Sequence, residues 1–223
     1  MQKFATTTPV TAVLDIPAGR IQLIAADRDD TTVEVRPADA SKNRDLKAAK
    51  EIEVSYQDGV LRIDAPEAKH RLLGHSGSVE ITVQLPAGSR VRAKAADADV
   101  RGVGRLGEVT LEAAQATVKL DEADSAELTL QAGPVTIGRL TGPAEISTLK
   151  GDLHITEAVR GTLTLRTEYG QITVGAARGT SATLNAGTTY GRIDNTLQNT
   201  DGPTPALTVH ATTAYGDITA RSL

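Results

Sequence analysis

From about residue 98 onward, short apolar segments return at a nearly constant spacing, and this repeat restricts the possible folds more than any other feature. Between these segments runs a second series in which apolar and polar residues alternate, as in residues 128–130 and 163–165. Such alternation is typical of a strand with one buried face. The lead apolar residues of the first series are Val100, Val118, Val135, Leu153, Ile172, Ile193 and Ile218, separated by 18, 17, 18, 19, 21 and 25 residues.

Two strands and a short third side per repeat predict a coil that cannot cover its own inner face. Such coils are stable only when they stack on their neighbours. The sequence therefore predicts an all-β protein with a β-solenoid over residues 96–223, meaning a single-stranded β-helix of about 18–25 residues per coil. Residues 1–95 are predicted to form a preceding region of short β-strands that caps the solenoid, and we expect both regions to belong to one continuous domain. A β-sandwich with short strands is the alternative.

Three local segments add detail to this prediction. Asp58-Gly59 lies between two apolar segments and predicts a hairpin, because glycine tolerates the positive φ of such turns. Residues 38–51, rich in Ala, Lys and Asp, predict either a short helix or a solvated excursion. Residues 195–205 (NTLQNTDGPTP) are predicted to project as a loop, since the spacing of the lead residues lengthens there.

The composition excludes several classes of partner. One Phe, four Tyr and no Trp suit a narrow aliphatic interior and weaken any case for stacking against sugars or single-stranded nucleic acid. A net charge of −4 gives no basic surface for nucleic acid. The chain has no cysteine, no apolar run long enough to span a membrane and no signal-peptide core near its N-terminus. We therefore expect no nucleic-acid or membrane partner and a cytoplasmic location.

A short motif recurs where the second series meets the lead residues. A strand that ends in a Leu-Pro corner, residues 83–88, precedes the copies Lys150-Gly151-Asp152-Leu153, Tyr169-Gly170-Gln171-Ile172, Tyr190-Gly191-Arg192-Ile193 and Tyr215-Gly216-Asp217-Ile218. The chain thereby resembles a bacterial family of uncharacterised β-strand-repeat proteins labelled "putative adhesins", whose pattern is Ser/Thr-x-x-Gly-Asp-Ile/Val. The resemblance implies repeated β-strands and a surface location, and it brings no catalytic residues.

The tyrosines of this motif are the first candidate binding residues. Stacked coils would place Tyr169, Tyr190 and Tyr215 in a ladder along one edge, where their hydroxyls could contact a ligand. The alternative is that the tyrosines only cover the core at a corner and stack on one another. Glycine follows each tyrosine because the chain turns there.

Two histidines are the other candidate binding residues. His154 is predicted to lie in an outward row of the lead strands, and His210 in an outward row of the second series. A catalytic role for His154 is disfavoured, because its expected neighbours are threonines and because Lys119 and Asp194 would lie about 10 Å away. The two predicted rows are Lys119, Thr136, His154, Thr173, Asp194 and Thr219, and Glu112, Gln131, Ser147, Arg166, Asn185 and His210.

Two further arrangements have an ordinary surface role as their alternative. A threonine row suggests an ice-binding surface, but Glu145 interrupts it, and threonine is common on solvated strands. Its members are Thr110, Thr129, Thr164, Thr183 and Thr208. His70 and His75 lie in a predicted loop, and no further ligands accompany them. The sequence therefore predicts no metal site and no cofactor.

These observations favour a non-enzymatic scaffold or binding module that presents its side-chain ladders to a protein or polymer partner. An enzyme (a lyase, hydrolase or cyclase) with a site near the 195–205 loop is one alternative, and a self-assembling structural filament is another. Self-association is also expected. The last coil, residues 216–223, ends the chain without a cap, so a homo-oligomer joined through this C-terminal coil is predicted.

Overall fold

The computed structural model describes residues 1–66, 77–202 and 204–223, and it confirms the all-β prediction. One helix, α1 (Asn43–Glu51), accompanies the strands in the described residues. The strands are β1 (Gln2–Ala5), β2 (Thr11–Ala26), β3 (Asp30–Pro37), β4 (Glu53–Gln57), β5 (Val60–Asp64), β6 (Val79–Pro86), β7 (Arg90–Ala132), β8 (Val135–Leu140), β9 (Ala144–Lys150), β10 (Leu153–Ala158), β11 (Gly161–Tyr169), β12 (Ile172–Ala176), β13 (Ala182–Tyr190), β14 (Ile193–Thr196), β15 (Leu207–Tyr215) and β16 (Ile218–Ser222).

Strands from β7 onward pair in parallel and form two stacks. The first stack runs β7–β8–β10–β12–β16–β14, and the second runs β7–β9–β11–β15–β13. We call two consecutive strands, one from each stack, a coil. The lead apolar residues pair directly with one another in the first stack, in the order Val118, Val135, Leu153, Ile172, Ile218 and Ile193.

The order of the last two coils differs from the order of the chain. The final coil, β15 and β16, lies between β11–β12 and β13–β14, so β13 and β14 are outermost. The prediction that residues 216–223 form the open end is therefore wrong. The long connection after β14 makes this insertion possible, because it carries the chain back by one coil.

The connection after β14 does not project freely as the sequence predicted for residues 195–205. Residues 195 and 196 belong to β14, and Pro203 lies outside the described residues. The backbone amides of Thr200 and Asp201 both donate to the buried Ser181 hydroxyl at 3.0 Å. The Gln198 amide donates to the hydroxyl of Ser222. These hydrogen bonds hold the connection against the coils that it joins.

The core is aliphatic throughout. Its buried members form one cluster that extends from Val10 to Ile218 and consists of Val, Ile, Leu and Ala. β7 crosses residue 95 without interruption, and the division at residues 95 and 96 stays a prediction. Among the described residues, no helix is both long and apolar enough to span a bilayer.

The N-terminal strands cover one end of the stacks. β2 pairs with β7 over Thr11–Ile24. The first part of β2 also pairs with β5, and its last part pairs with β6. Three antiparallel strands, β4, β3 and β1, complete this end. The ring centroids of Phe4 and Tyr56 are 5.3 Å apart, and both residues pack against the core. The helix predicted within residues 38–51 is α1, and its buried Asp45 accepts a hydrogen bond from the Ser78 amide.

Candidate functional site

The repeated corner is stabilised by a threonine two residues before each tyrosine. The Thr167 hydroxyl donates to the Gly151 carbonyl at 3.1 Å, and Thr213 donates to Gly170 at 3.0 Å. Thr188 donates to Gly216 at 3.0 Å. Each bond joins one coil to the coil before it in the stack. The tyrosines and glycines were predicted from the sequence but these threonines were not, although the Ser/Thr-x-x-Gly pattern contained the signal.

The glycine of each corner is required by close contact between coils. A Cβ atom added to Gly170 would lie 2.1 Å from the Gly151 carbonyl oxygen, and one on Gly216 would lie 2.0 Å from that of Gly170. One on Gly191 would lie 1.9 Å from the oxygen of Gly216. Real Cβ atoms do not approach a carbonyl so closely. The same sequence of contacts independently shows that the final coil lies between the two before it.

The aspartate of the motif also has a structural role. The Asp152 carboxylate accepts the backbone amide of Gln171 at 2.8 Å. Asp217 accepts the amide of Arg192 at the same distance. Both bonds join adjacent coils, so the Thr, Gly and Asp of the repeated pattern all stabilise stacking. The tyrosine is the position of the motif left free for another function.

The three tyrosines form the predicted ladder, in the order Tyr169, Tyr215 and Tyr190. The Tyr169 and Tyr215 ring centroids are 5.0 Å apart with planes inclined by 1°. Those of Tyr190 and Tyr215 are 4.9 Å apart and inclined by 10°. The exposed fractions are 53%, 47% and 63% in ladder order. Lys150 and Ala132 continue the row on earlier coils.

The ladder borders a polar surface on the second stack, which we call the ladder face. The face comprises the outward residues of β11, β15 and β13 together with the tyrosines. Its charged side chains, Arg166 and Glu168, both belong to β11 and have opposite signs. The outward residues are Thr162, Thr164, Arg166 and Glu168 on β11, Thr208, His210, Thr212 and Ala214 on β15, and Thr183, Asn185, Gly187 and Thr189 on β13.

His210 belongs to the ladder face. It lies in β15, five residues before Tyr215, and pairs with Thr164 on one side and Asn185 on the other. The row predicted from sequence had the correct face but the wrong register in two places. Arg166 pairs with Thr212 rather than continuing to His210, and Ser147 pairs with Thr129 rather than with Gln131. An error of two residues keeps a side chain on the same face of a strand, so alternation alone could not detect it.

His154 lies apart from the other four candidate residues. It belongs to β10 in the first stack and pairs with Thr136 and Thr173, as the sequence predicted. Lys119 lies two strands away, whereas Asp194 lies three strands away, because the final coil intervenes. The predicted binding residues therefore divide into His154 alone and a group of four, His210 with the tyrosines. A binding role for either group stays a prediction.

Two cavities stand out, and neither is lined by His154, His210 or the 195–205 connection. One, of about 340 Å³, contains the ion pairs of Arg20 with Glu80 and Asp99. The other, of about 1440 Å³, lies between α1 and the corners of β2 and β7. A pocket containing His154 or His210 with a carboxylate would favour the enzyme alternative, and neither cavity contains either histidine.

A row of carboxylates lies beside the larger cavity. Asp64 pairs with Asp15 on β2 and with Glu53 on β4. Burial raises the pKa of Asp64; Arg62 opposes this shift, and the two neighbouring carboxylates add to it. No group of three or more His, Cys, Asp or Glu residues is placed to hold a metal ion in the described part of the chain. His70 and His75 lie outside the described residues.

Comparison with solved structures shows similarity over nearly the whole chain. A "putative adhesin" from Parabacteroides distasonis ATCC 8503 is 15% identical with a TM-score of 0.53, over 98% of this chain and 95% of that chain. One from Bacteroides fragilis NCTC 9343 is 14% identical with a TM-score of 0.49, over the same shares. At such identity the first similarity shows the fold alone.

The sequence comparisons give the family. None of the curated proteins matches the chain. The family model described as Toastrack DUF4097 matches residues 13–222, which include both stacks, the repeated corners and the tyrosine ladder. The resemblance inferred from the repeated corner motif is thereby confirmed, and this chain belongs to the Toastrack DUF4097 family.

Proposed function

We propose that this chain is a non-enzymatic binding module that recognises a protein partner through the ladder face. One observation carries the proposal: three stacked, half-exposed tyrosines border a surface with only two charged side chains, of opposite sign. Protein interfaces are depleted of charge at their centre and enriched in Tyr and Arg. The ladder face has this composition, whereas the chain as a whole is 23% charged.

Stacking prepares the tyrosines for binding. Each ring is held by its neighbours at about 5 Å, so little side-chain freedom is left to lose when a partner binds. The tyrosine hydroxyls can donate and accept hydrogen bonds. A tyrosine fixed in this way supplies contact area at low entropic cost, as in antibody combining sites.

We infer that the two stacks wind as the β-solenoid predicted from sequence, with about 18–25 residues per coil. Parallel pairing of successive lead residues supports this inference. A solenoid keeps the rows of the ladder face at the strand spacing of about 4.8 Å.

The enzyme alternative receives no support from the placement of the histidines. His154 has threonine neighbours, and His210 lies between Thr164 and Asn185. Neither row places a carboxylate directly beside the imidazole, which general acid–base catalysis by a His–carboxylate pair would need. We therefore place binding ahead of catalysis.

The proposed location rests on similarity. A solved structure named as a "putative adhesin" favours the cell surface. We propose a surface location, because recognition of a partner outside the cell agrees with an exposed, patterned face. Protease treatment of intact cells should degrade the protein if it is at the surface. Full protection before lysis would contradict this proposal.

Binding can be tested with two matched triple variants. Cross-linking and mass spectrometry in the native cells would identify the partner, and the purified pair would be measured by biolayer interferometry. Changing Tyr169, Tyr190 and Tyr215 to Ser should weaken binding by about 30-fold or more, because central tyrosines are frequent hot spots. The control changes Thr136, Thr173 and Thr219 to Ala on the first stack and should bind as the parent does.

Three outcomes would contradict the proposal. Equal binding by the tyrosine variant would show that the ladder is not the contact surface. Loss of binding only in the first-stack control would move the site to the His154 face. Binding to a polysaccharide, with no protein partner recovered, would replace the proposed class of partner. Circular dichroism of both variants separates these outcomes from loss of the fold.

A further inference from the structure

The outermost coil leaves two strand edges open. Among the described residues, β13 pairs only with β15, and β14 pairs only with β16. The Ala182 amide bonds to the Gln198 carbonyl in the connection beyond it. Because backbone groups alternate along a strand, those of Leu184, Ala186 and Thr188 face the same open side.

The core is only partly covered at this end, where Leu184 and Leu197 pack against it. Ile193 is 46% exposed, whereas Ile218 and Ile172, which follow it in the same column, are exposed by 1% and 0%. Leu184 is half-buried, but Val209 beside it is fully buried. Apolar side chains that complete the core elsewhere thus face solvent here. Covering them would extend the core by one layer.

Of the two open strands, β13 lacks the features with which proteins protect an edge, whereas β14 is short and contains Asp194. β13 has nine residues without a charge or a proline, and natural edge strands usually contain one or the other, or are short. The opposite end shows the contrast. Its edge strands β1 and β4 have four and five residues and contain Lys3 and Glu53. The Phe4–Tyr56 contact covers the core there.

We propose that a second copy of this chain covers the open end and that the two copies form a two-fold symmetric dimer through β13 and β14. A partner must pair with both open strands and also cover the aliphatic residues between them. Only a surface with two edge strands in the same arrangement can do so. A single extended peptide could pair with one strand but would leave the other uncovered. The same end of a second copy has the required layout, and a two-fold contact between like surfaces closes on itself.

The charges of β14 favour this symmetric arrangement. Arg192 and Asp194 lie on the outward side, and the Arg192 side chain is 91% exposed, with a single 3.8 Å contact to Asp217. A two-fold axis through Ile193 makes the two β14 strands antiparallel. Each Arg192 then lies opposite Asp194 of the second copy, which gives two ion pairs and no contact between like charges.

Sedimentation velocity over a range of concentrations tests the dimer. The parent chain should approach twice its mass of 23.3 kDa as concentration rises. Ile193→Lys should remain monomeric, because lysine reaches solvent in the monomer but would be buried in the dimer. Ser55→Lys, on the exposed edge of β4, is the matched control and should dimerise as the parent does. A parent that stays monomeric at all concentrations overturns the proposal.

A charge exchange tests the antiparallel register. Arg192→Asp should raise the dimer dissociation constant by at least about tenfold, because two attractive pairs become repulsive. Adding Asp194→Arg to the same chain should restore dimerisation. Failure of the double variant to recover overturns the register about Ile193. Filaments in negative stain, or an oligomer that persists in Ile193→Lys, overturn the closed dimer. Both β14 substitutions are exposed and leave the core intact.

Discussion

The insertion of the final coil can be tested by engineered disulfides, since the chain contains no cysteine of its own. Thr173, Thr219 and Asp194 lie in one outward row, in that order, on β12, β16 and β14. In a stack that followed the order of the chain, Asp194 would lie next to Thr173 instead. Double variants with cysteine at two of these three positions therefore distinguish the two orders.

The strand spacing decides which pairs can form. Neighbouring strands lie about 4.8 Å apart, within the Cα separation of about 4.4–6.8 Å that a disulfide accepts. Strands two apart are separated by about 9.6 Å, beyond the limit of about 7 Å. The Thr173–Thr219 bridge closes a loop of about 45 residues, which corresponds to about 4 kcal/mol in the free energy of unfolding if strain is absent.

Peptide mapping after oxidation shows which disulfides form, and denaturant unfolding measures their effect on the free energy of unfolding. Cysteines at 173 and 219 should form a bridge and raise the unfolding midpoint, and so should cysteines at 219 and 194. Cysteines at 173 and 194 should remain reduced in the folded protein and serve as the control. A bridge that forms readily between 173 and 194 but not between 173 and 219 would refute the inserted order.

Four further substitutions test local packing and charge by denaturant unfolding. Gly170→Ala should cost about 3 kcal/mol, because its Cβ would overlap a carbonyl of the preceding coil. Gly187→Ala, with no atom within 4 Å of its Cβ, should instead stabilise by about 0.5 kcal/mol. Asp64→Asn should stabilise by about 0.5–1 kcal/mol at pH 7 by removing two cross-strand repulsions. The gain should fade toward pH 3, because the pKa of Asp64 is raised in the folded state, so protonation there favours folding. Phe4→Ala should cost about 2 kcal/mol by opening the N-terminal end.

Much of the architecture was predictable from the sequence because the signals are local. Alternation assigns each side chain to a face, and the recurring lead residues predict which strands are equivalent. Val118, Val135 and Leu153 pair as their spacing predicts. The Tyr-Gly corner likewise predicted the ladder, because equivalent positions in stacked coils must coincide. These inferences require only that the chain repeats.

The order of the coils was not predictable by the same means. Gly170, Gly191 and Gly216 are chemically identical corners with a threonine three residues before each. Each of these corners can stack on either of the other two. The repeat therefore predicts stacking but does not specify which coils are neighbours. The alternative order, in which the last coil is outermost, satisfies the same periodicity. The error in the predicted open end follows directly from this equivalence.

A difference between coils, rather than their similarity, explains which one is outermost. One inward column of the first stack contains Leu120, Ile137, Ile155, Val174 and Ala220 before it reaches Asn195. If the side-chain amide of Asn195 were buried in the interior without a hydrogen-bond partner, it would lower the free energy of unfolding by roughly 1–3 kcal/mol. At the open end Asn195 is exposed, and its side-chain oxygen accepts the Leu197 amide at 3.1 Å. The coil with a polar residue in the core column therefore belongs at the end of the stack, which is the position it occupies.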